Sequence, residues 1–309
     1  MKASLLFALA LAACTSAIAA EPATAAPDRT AAMAAPAERF EVGSMLVERH
    51  GQRGRPLVLI PGLGSGPWAW KDAISEYSGD YTVYVVTLPG FDGRPAVAGA
   101  GFDSARDALK QLIATRKLDK PVLIGHSMGG ALALAVASQL PDQVGGVVAV
   151  DGLPIFPTME NLPQERRLMM AQGAKAQLAS LTVPVFAAQQ QMYMRQIGSA
   201  DTAMADQLAT LSARSDPGAV SEYMGEVLAL DLRPALPAIK APVLVLAPFY
   251  APDAAKSGLT PQAKAAYYKS LMAGTPKVEV VPVEGARHFV MFDQPRQVSD
   301  AIGRFLKSL

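Results

Sequence analysis

The feature that most constrains this chain is an abrupt change of character around residue 127. Pro121–Ile124 is an apolar run of strand type, Gly125-His126-Ser127-Met128-Gly129-Gly130 follows at once, and Ala131–Leu140 is a strong helix former stopped by Pro141. A strand that turns into a helix within so few residues forces the residue at the bend into a strained backbone conformation. The glycines on either side leave space where a Cβ would collide. The pattern is G-x-S-x-G, and strand, turn and helix occur in the required order, so Ser127 is a candidate nucleophile held out from the turn.

Around that bend, strand-like and helix-like segments alternate from Phe40 onward, which predicts an α/β fold with a mostly parallel, doubly wound sheet. Expected strands are Glu41–Glu48, Pro56–Ile60, Thr82–Thr87, Pro121–Ile124, Gly146–Val150, Val243–Ala247 and Lys277–Val281. The polar turn His50–Arg55 is expected to join the first two as a hairpin. Helices are expected over Trp70–Tyr77, Ser104–Arg116, Ala131–Gln139 and Gln294–Leu309. The later strands are unbroken apolar runs, the pattern of a sheet covered by helices on both faces. Between Val150 and Val243 the strand signal stops, and helical stretches fit Leu162–Leu181, Pro184–Gly198, Ala200–Ala213 and Pro217–Ala229. This predicts a core of residues 39–151 and 236–309 with a helical cap of residues 152–235 over the strand ends. The cap holds Met159, Met169, Met170, Met192, Met194, Met204 and Met224, which suit either a pliant apolar lid or simple core filling.

The charge balance narrows the partners. Lys and Arg total 28 against 27 Asp and Glu, with no basic cluster, so nucleic-acid binding is not expected. Residues 1–19 have the form of an export signal: Lys2, the apolar stretch Ser4–Ala13, then small residues. Two processing routes fit. Ala17-Ile18-Ala19 suits ordinary signal cleavage, and Leu11-Ala12-Ala13-Cys14 resembles a bacterial lipobox that would make Cys14 a lipid anchor. Either route takes the chain out of the cytoplasm, to the periplasm or an outward-facing membrane. With Cys14 the single cysteine, no internal disulfide can form. Residues 20–38, rich in Ala and Pro, are expected to be a disordered leader.

A serine hydroxyl needs a base, and the chain has three histidines. His126 is inside the strained turn and His50 is in the early hairpin turn. His288, in Glu284-Gly-Ala-Arg-His-Phe289 after the last strand, is therefore the candidate base.

With Ile60-Pro-Gly-Leu-Gly64, Leu88-Pro-Gly-Phe-Asp-Gly93, the Gly125–Gly130 turn and Arg287-His-Phe289, residues 41–309 resemble the α/β-hydrolase superfamily in its capped esterase, lipase and peroxidase-like branch. Many relatives carry His at the position of Pro61 and Gly at that of Arg287. The resemblance implies a cofactor-free serine hydrolase acting on small or medium apolar esters through an acyl-enzyme. Thioesterase, lactonase and C–C hydrolase chemistry share the same machinery. A noncatalytic binding member of the fold is the alternative from another class. Most relatives place the acid that orients the base just after the strand Val243–Ala247. Here the position near Ala251 has no carboxylate and Asp253 lies slightly late, so Asp151, after Gly146–Val150, is preferred and Asp253 is the alternative. Asp293 is expected to cap the final helix. Oxyanion donors are expected from the N–H groups of Met128 and Leu63, the latter between Gly62 and Gly64. Trp68 and Trp70 suit core packing better than an acyl pocket, while Leu153, Ile155 and Phe156 fit pocket wall or core equally.

Overall fold

The computed structural model describes residues 35–255 and 257–309. The expected export signal and the Cys14 anchor lie outside the described residues. Of the expected leader over 20–38, the last residues belong to the sheet: the Ala37 N–H donates to the Arg49 carbonyl, and Glu38 opens the first strand.

Among the described residues one sheet holds β1 (Glu38–Val42), β2 (Met45–His50), β3 (Pro56–Ile60), β4 (Thr82–Thr87), β5 (Val122–His126), β6 (Gly146–Val150), β7 (Val243–Phe249) and β8 (Val278–Glu284). The spatial order is β1-β2-β4-β3-β5-β6-β7-β8, parallel from β4 to β8 and antiparallel at β1 and β2. Two expectations at this edge are corrected. Glu41–Glu48 is not one strand, because Gly43 at φ +57° reverses the chain between β1 and β2. His50–Arg55 does not close a hairpin either. β2 pairs with β4, in register Leu46 to Thr87, and β3 lies on the far side of β4. Alternation by itself could not tell which neighbour a strand pairs with.

The helices of the core are α1 (Lys71–Tyr77), α2 (Phe102–Thr115) and α3 (Met128–Gln139). The insertion after β6 holds α4 (Gln164–Ala179), α5 (Val183–Tyr193), a π-turn over Met194–Gly198, α6 (Thr202–Ser212) and α7 (Pro217–Ala229). After β7 come α8 (Ala251–Ala254), α9 (Pro261–Leu271), α10 (Val290–Asp293) and α11 (Pro295–Ser308). The two faces of each central strand feed different cores. Val58, Ile60, Leu123 and Val147 pack with α2 and α3, while Leu57, Leu59, Val122 and Val148 pack with α1 and α11. Burial on both faces explains the unbroken apolar runs. α9 was not expected from the sequence, although Thr260 caps it through Ala263 N and Pro261 occupies its first turn.

The insertion is pinched at its base by a single antiparallel bridge between Ile155 and Asp231, and Asp231 pairs with Arg233 at 2.8 Å. Its methionines divide: Met159, Met194 and Met204 fill the core, and Met169, Met170 and Met192 are exposed. Leu153 and Ile155 are core, and Phe156 is exposed. Trp68 and Trp70 are buried, Trp68 stacking on Phe289 with ring centres 6.1 Å apart.

Candidate active site

The parallel strands β3, β5, β6 and β7 all end at one edge of the sheet, and the candidate residues gather there. Ser127 joins β5 to α3 at φ +52°, ψ −122°, a conformation that non-glycine residues seldom adopt. Its neighbours explain the glycines. A Cβ on Gly125 would lie 2.1 Å from the Gly129 carbonyl oxygen, and one on Gly129 would lie 2.2 Å from that of Ile60. The loop after β3 presses on the same turn, since a Cβ on Gly62 would meet His126 Nδ1 at 2.8 Å and Ser127 Cβ at 3.2 Å. The Gly62-Leu63-Gly64 backbone and the amino end of α3, where Met128 sits, therefore flank Ser127. The first N–H groups of a helix have no partner within it.

His288 follows β8 in a loop seated directly on the turn. His126 Nε2–H donates to the His288 carbonyl at 3.0 Å, and the two imidazole centres are 4.6 Å apart. Burial pushes the His126 imidazole down to about 3, helped by the neighbouring His288, so His126 is neutral and serves as a strut under the loop. His50 is buried at the end of β2 and plays no part in this cluster.

The two candidate acids part company here. Asp151, at φ +49° just past β6, brings Oδ2 to 2.5 Å from His288 Nδ1, and its Oδ1 accepts from the Tyr268 hydroxyl at 2.5 Å. Both side chains of the Asp151–His288 pair are mostly buried. Burial pushes the Asp151 carboxyl up, but the charge and hydrogen bond of His288 together with the Tyr268 hydroxyl outweigh it and leave it below the ordinary carboxylate range. Asp253 faces Arg287 instead, with a two-pronged contact at 2.8 and 2.7 Å to Nε and Nη2. Asp293 is not the cap of α11. It lies in α10 and accepts from Ser199 Oγ and from the backbone N–H groups of Ala200 and Arg287.

Two tyrosines that the sequence did not single out line this cluster. Tyr193, from α5 of the cap, meets the His288 ring edge-on at 6.2 Å. Burial and then the Asp151 charge raise its phenol, and the same causes raise that of Tyr268 well above its ordinary value, so both stay protonated. No local motif marks either residue. Tyr268 lies on the unexpected helix α9, and only the pairing of β6 with β7 brings that helix beside Asp151.

The cap is fastened to the His288 loop rather than merely resting on it. The backbone N–H groups of His288 and Phe289 donate to the carbonyls of Ile197 and Gly198 in the π-turn. Arg287 Nη1 reaches the carbonyls of Arg195, at 2.8 Å, and Ser199.

Known proteins share this framework. The chain is 27% identical over 260 residues to the biotin biosynthesis bifunctional protein BioHC of Cellvibrio japonicus, covering 82% of this chain and 48% of that protein. It is 31% identical over 120 residues to a 2-succinyl-6-hydroxy-2,4-cyclohexadiene-1-carboxylate synthase of Shigella sonnei, covering 38% of this chain and 47% of that one. The chain thus spans about half the length of the curated relatives it matches. A thermophilic esterase from Thermogutta terrifontis superposes with a TM-score of 0.67 at 23% identity, over 88% of this chain and 99% of that chain, a likeness of fold. Residues 57–301, from the first buried residue of β3 into α11, match the sequence pattern of the alpha/beta hydrolase family, and to that family the chain belongs.

Proposed function

We propose that this protein is a serine hydrolase that cleaves small or medium apolar carboxylic esters through an acyl-enzyme. The main support is the 2.5 Å contact of Asp151 Oδ2 with His288 Nδ1, made in a loop held against the strained turn that carries Ser127. In this reading the carboxylate fixes the imidazole with its proton on Nδ1, which leaves Nε2 as the base. Nε2 takes the Ser127 hydroxyl proton as Oγ attacks the ester carbonyl. The N–H groups of Met128 and Leu63 receive the negative oxygen of the tetrahedral intermediate. Collapse breaks the ester C–O bond, and the proton on Nε2 passes to the departing alcohol. Water then attacks the acyl-enzyme with its proton taken by the same nitrogen, and collapse breaks the bond from the acyl carbon to Oγ, which takes the proton back from Nε2 as the acid leaves. The apolar preference rests on the mainly apolar and small-residue composition of the cap segment, and a panel in which charged acyl groups outrun apolar ones would overturn it.

The test is labelling of the purified protein with a fluorophosphonate, followed by mass spectrometry. We expect modification at Ser127 that is lost in His288→Ala. A folded protein that never reacts there would overturn the proposal and favour a binding role. Export through residues 1–19 belongs to the same proposal, with Cys14 as lipid anchor in one of its two routes. Among the described residues no helix is long and apolar enough to cross a membrane. The mass of the protein recovered from the envelope distinguishes a start at Cys14, a start at Ala20 and an unprocessed chain.

A further inference from the structure

A carboxylate that holds a histidine through one oxygen has a second oxygen to satisfy. The N–H of Asp151 itself is spent on the sheet, donating to the Leu246 carbonyl at 2.9 Å. The donor is the Tyr268 hydroxyl, at 2.5 Å from Oδ1. Tyr268 is buried on α9, which packs against β7 and β8, and its ring lies under the Lys264 ammonium at 5.0 Å. The neighbouring Tyr267 ties the same helix to the base of the cap. Its hydroxyl accepts from the Thr158 N–H at 3.1 Å and contacts Glu160 Oε1 at 3.2 Å. Tyr268 therefore approaches the acid from a fixed direction, on a side chain with only two rotatable bonds.

From this arrangement we infer that Tyr268 is a positioning residue for the Asp151–His288 pair: its hydroxyl locks the rotation of the carboxylate so that Oδ2 faces His288, and it draws off part of the charge that His288 meets. The role in turnover rests on the serine-hydrolase reading, whereas the coupling of Tyr268 to His288 does not. Two consequences have opposite signs. Removing the hydroxyl leaves the full carboxylate charge toward the imidazole, which favours the imidazolium. A more acidic phenol is a stronger donor, draws off more charge and favours the neutral ring. The charged and titratable groups that face the pair are His126 from the turn, Tyr193 from the cap, and Lys264 and Tyr268 from α9. Of these, only Tyr268 changes in the variants below.

The experiment is an NMR titration of histidine-labelled full-length protein, in which three imidazoles give a simple spectrum. It compares wild type, Tyr268→Phe, and protein carrying 3-fluorotyrosine at position 268. The expected result is a displacement of the His288 signal in opposite directions in the two variants, toward the imidazolium in Tyr268→Phe and toward the neutral ring in the fluorotyrosine protein. Alongside it, Tyr268→Phe should lose about tenfold in kcat on a p-nitrophenyl ester with KM little changed. Should Tyr268→Phe fail to fold, the fluorotyrosine protein, which keeps every contact, decides alone. A His288 signal that stays in place, or moves in the reverse direction, overturns the inference. A wild type that neither labels at Ser127 nor turns over esters, but whose His288 signal shifts in the variants as described, overturns the hydrolase reading and leaves the coupling intact.

Discussion

The ends of β6 and β7 lie side by side in the sheet, each is followed by a loop bearing an aspartate, and the two aspartates have opposite surroundings. Asp151 side-chain exposure is 13%, and its partners are an imidazole and a phenol. Asp253 is half exposed at 50%, and its partner is a guanidinium that continues to the carbonyls of the cap. A buried carboxylate whose two oxygens meet different donors is oriented and held charged, as an acid that steers a base must be. An exposed carboxylate bound by both prongs of an arginine is a fastener. Asp253 is thus a point of attachment for the cap, and Arg287 is the other half of that attachment.

The largest test of this division is to neutralise each acid in turn. Asp151→Asn keeps the shape but offers His288 the wrong hydrogen-bonding face, and kcat/KM on an ester should fall by about 10⁴-fold. Asp253→Asn should stay within about tenfold of wild type, since it loosens the cap and leaves His288 its partner. A reversed ranking would assign Asp253 to the histidine and break the comparison outright.

How much of this was legible beforehand follows the same line. The Ser127 turn and the His288 loop are written in contiguous residues whose spacing has a steric cause, and they stand where the sequence put them. The structure sets Asp151 against His288 and Asp253 against Arg287, but no local sign in the sequence separates the two aspartates beyond the missing acid near Ala251. Tyr193, Tyr268 and the Arg287 clamp were not legible, because each depends on which distant segments the sheet order and the cap bring together. The hairpin expected at His50–Arg55 failed for the same reason: pairing partners are tertiary facts, and alternation reports only faces.

A steric test acts on the β6 end alone. A Cβ on Gly152 would lie 2.6 Å from Gly130 Cα and 3.0 Å from the Ser127 carbonyl oxygen, all backbone that cannot turn aside. Gly152→Ala should therefore cost about 2–3 kcal/mol in a denaturant titration and displace Asp151 from His288. An alanine placed at Gly258 past the end of β7, where a Cβ meets nothing within 4 Å, faces only its own φ of +65° and should cost about 1 kcal/mol. Equal losses at the two sites would remove the claim that the β6 end is the more tightly packed.

The strut beneath both loops has a pH signature. His126 is held neutral down to about 3, against an ordinary value near 6.5 for an unfolded histidine. Between those values the unfolded chain binds a proton that the folded one refuses, so stability is whole above about pH 6.5 and falls by about 1.4 kcal/mol per unit as pH drops toward 3. His50, lowered chiefly by burial, adds a slope of the same sign. His126→Gln should lower stability at neutral pH while flattening the wild-type slope between pH 4 and 6, with the His50 contribution remaining. An unchanged slope would mean that His126 takes up its proton in the folded state and cannot be the neutral strut.

The smallest effect lies at the β7 end, and it separates a fastener from a mere neighbour. Arg287 is 18% exposed and Asp253 50% exposed, so solvent screens much of their attraction and the pair contributes about 1 kcal/mol at most. Arg287→Met keeps an apolar stem but loses the guanidinium's place over the Tyr250 ring, the carboxylate and the carbonyls of Arg195 and Ser199. Asp253→Asn loses only the ionic half. If the arginine works by joining the two, Arg287→Met costs more than Asp253→Asn, and the double variant costs less than their sum by about 0.5 kcal/mol or more. Limited proteolysis should find the segment 194–200 cut faster in Arg287→Met, because two of its carbonyls have lost their donor. Strict additivity, with proteolysis unchanged, would reduce the contact to a surface pair and leave the backbone bonds of His288 and Phe289 to the π-turn as the whole of the attachment.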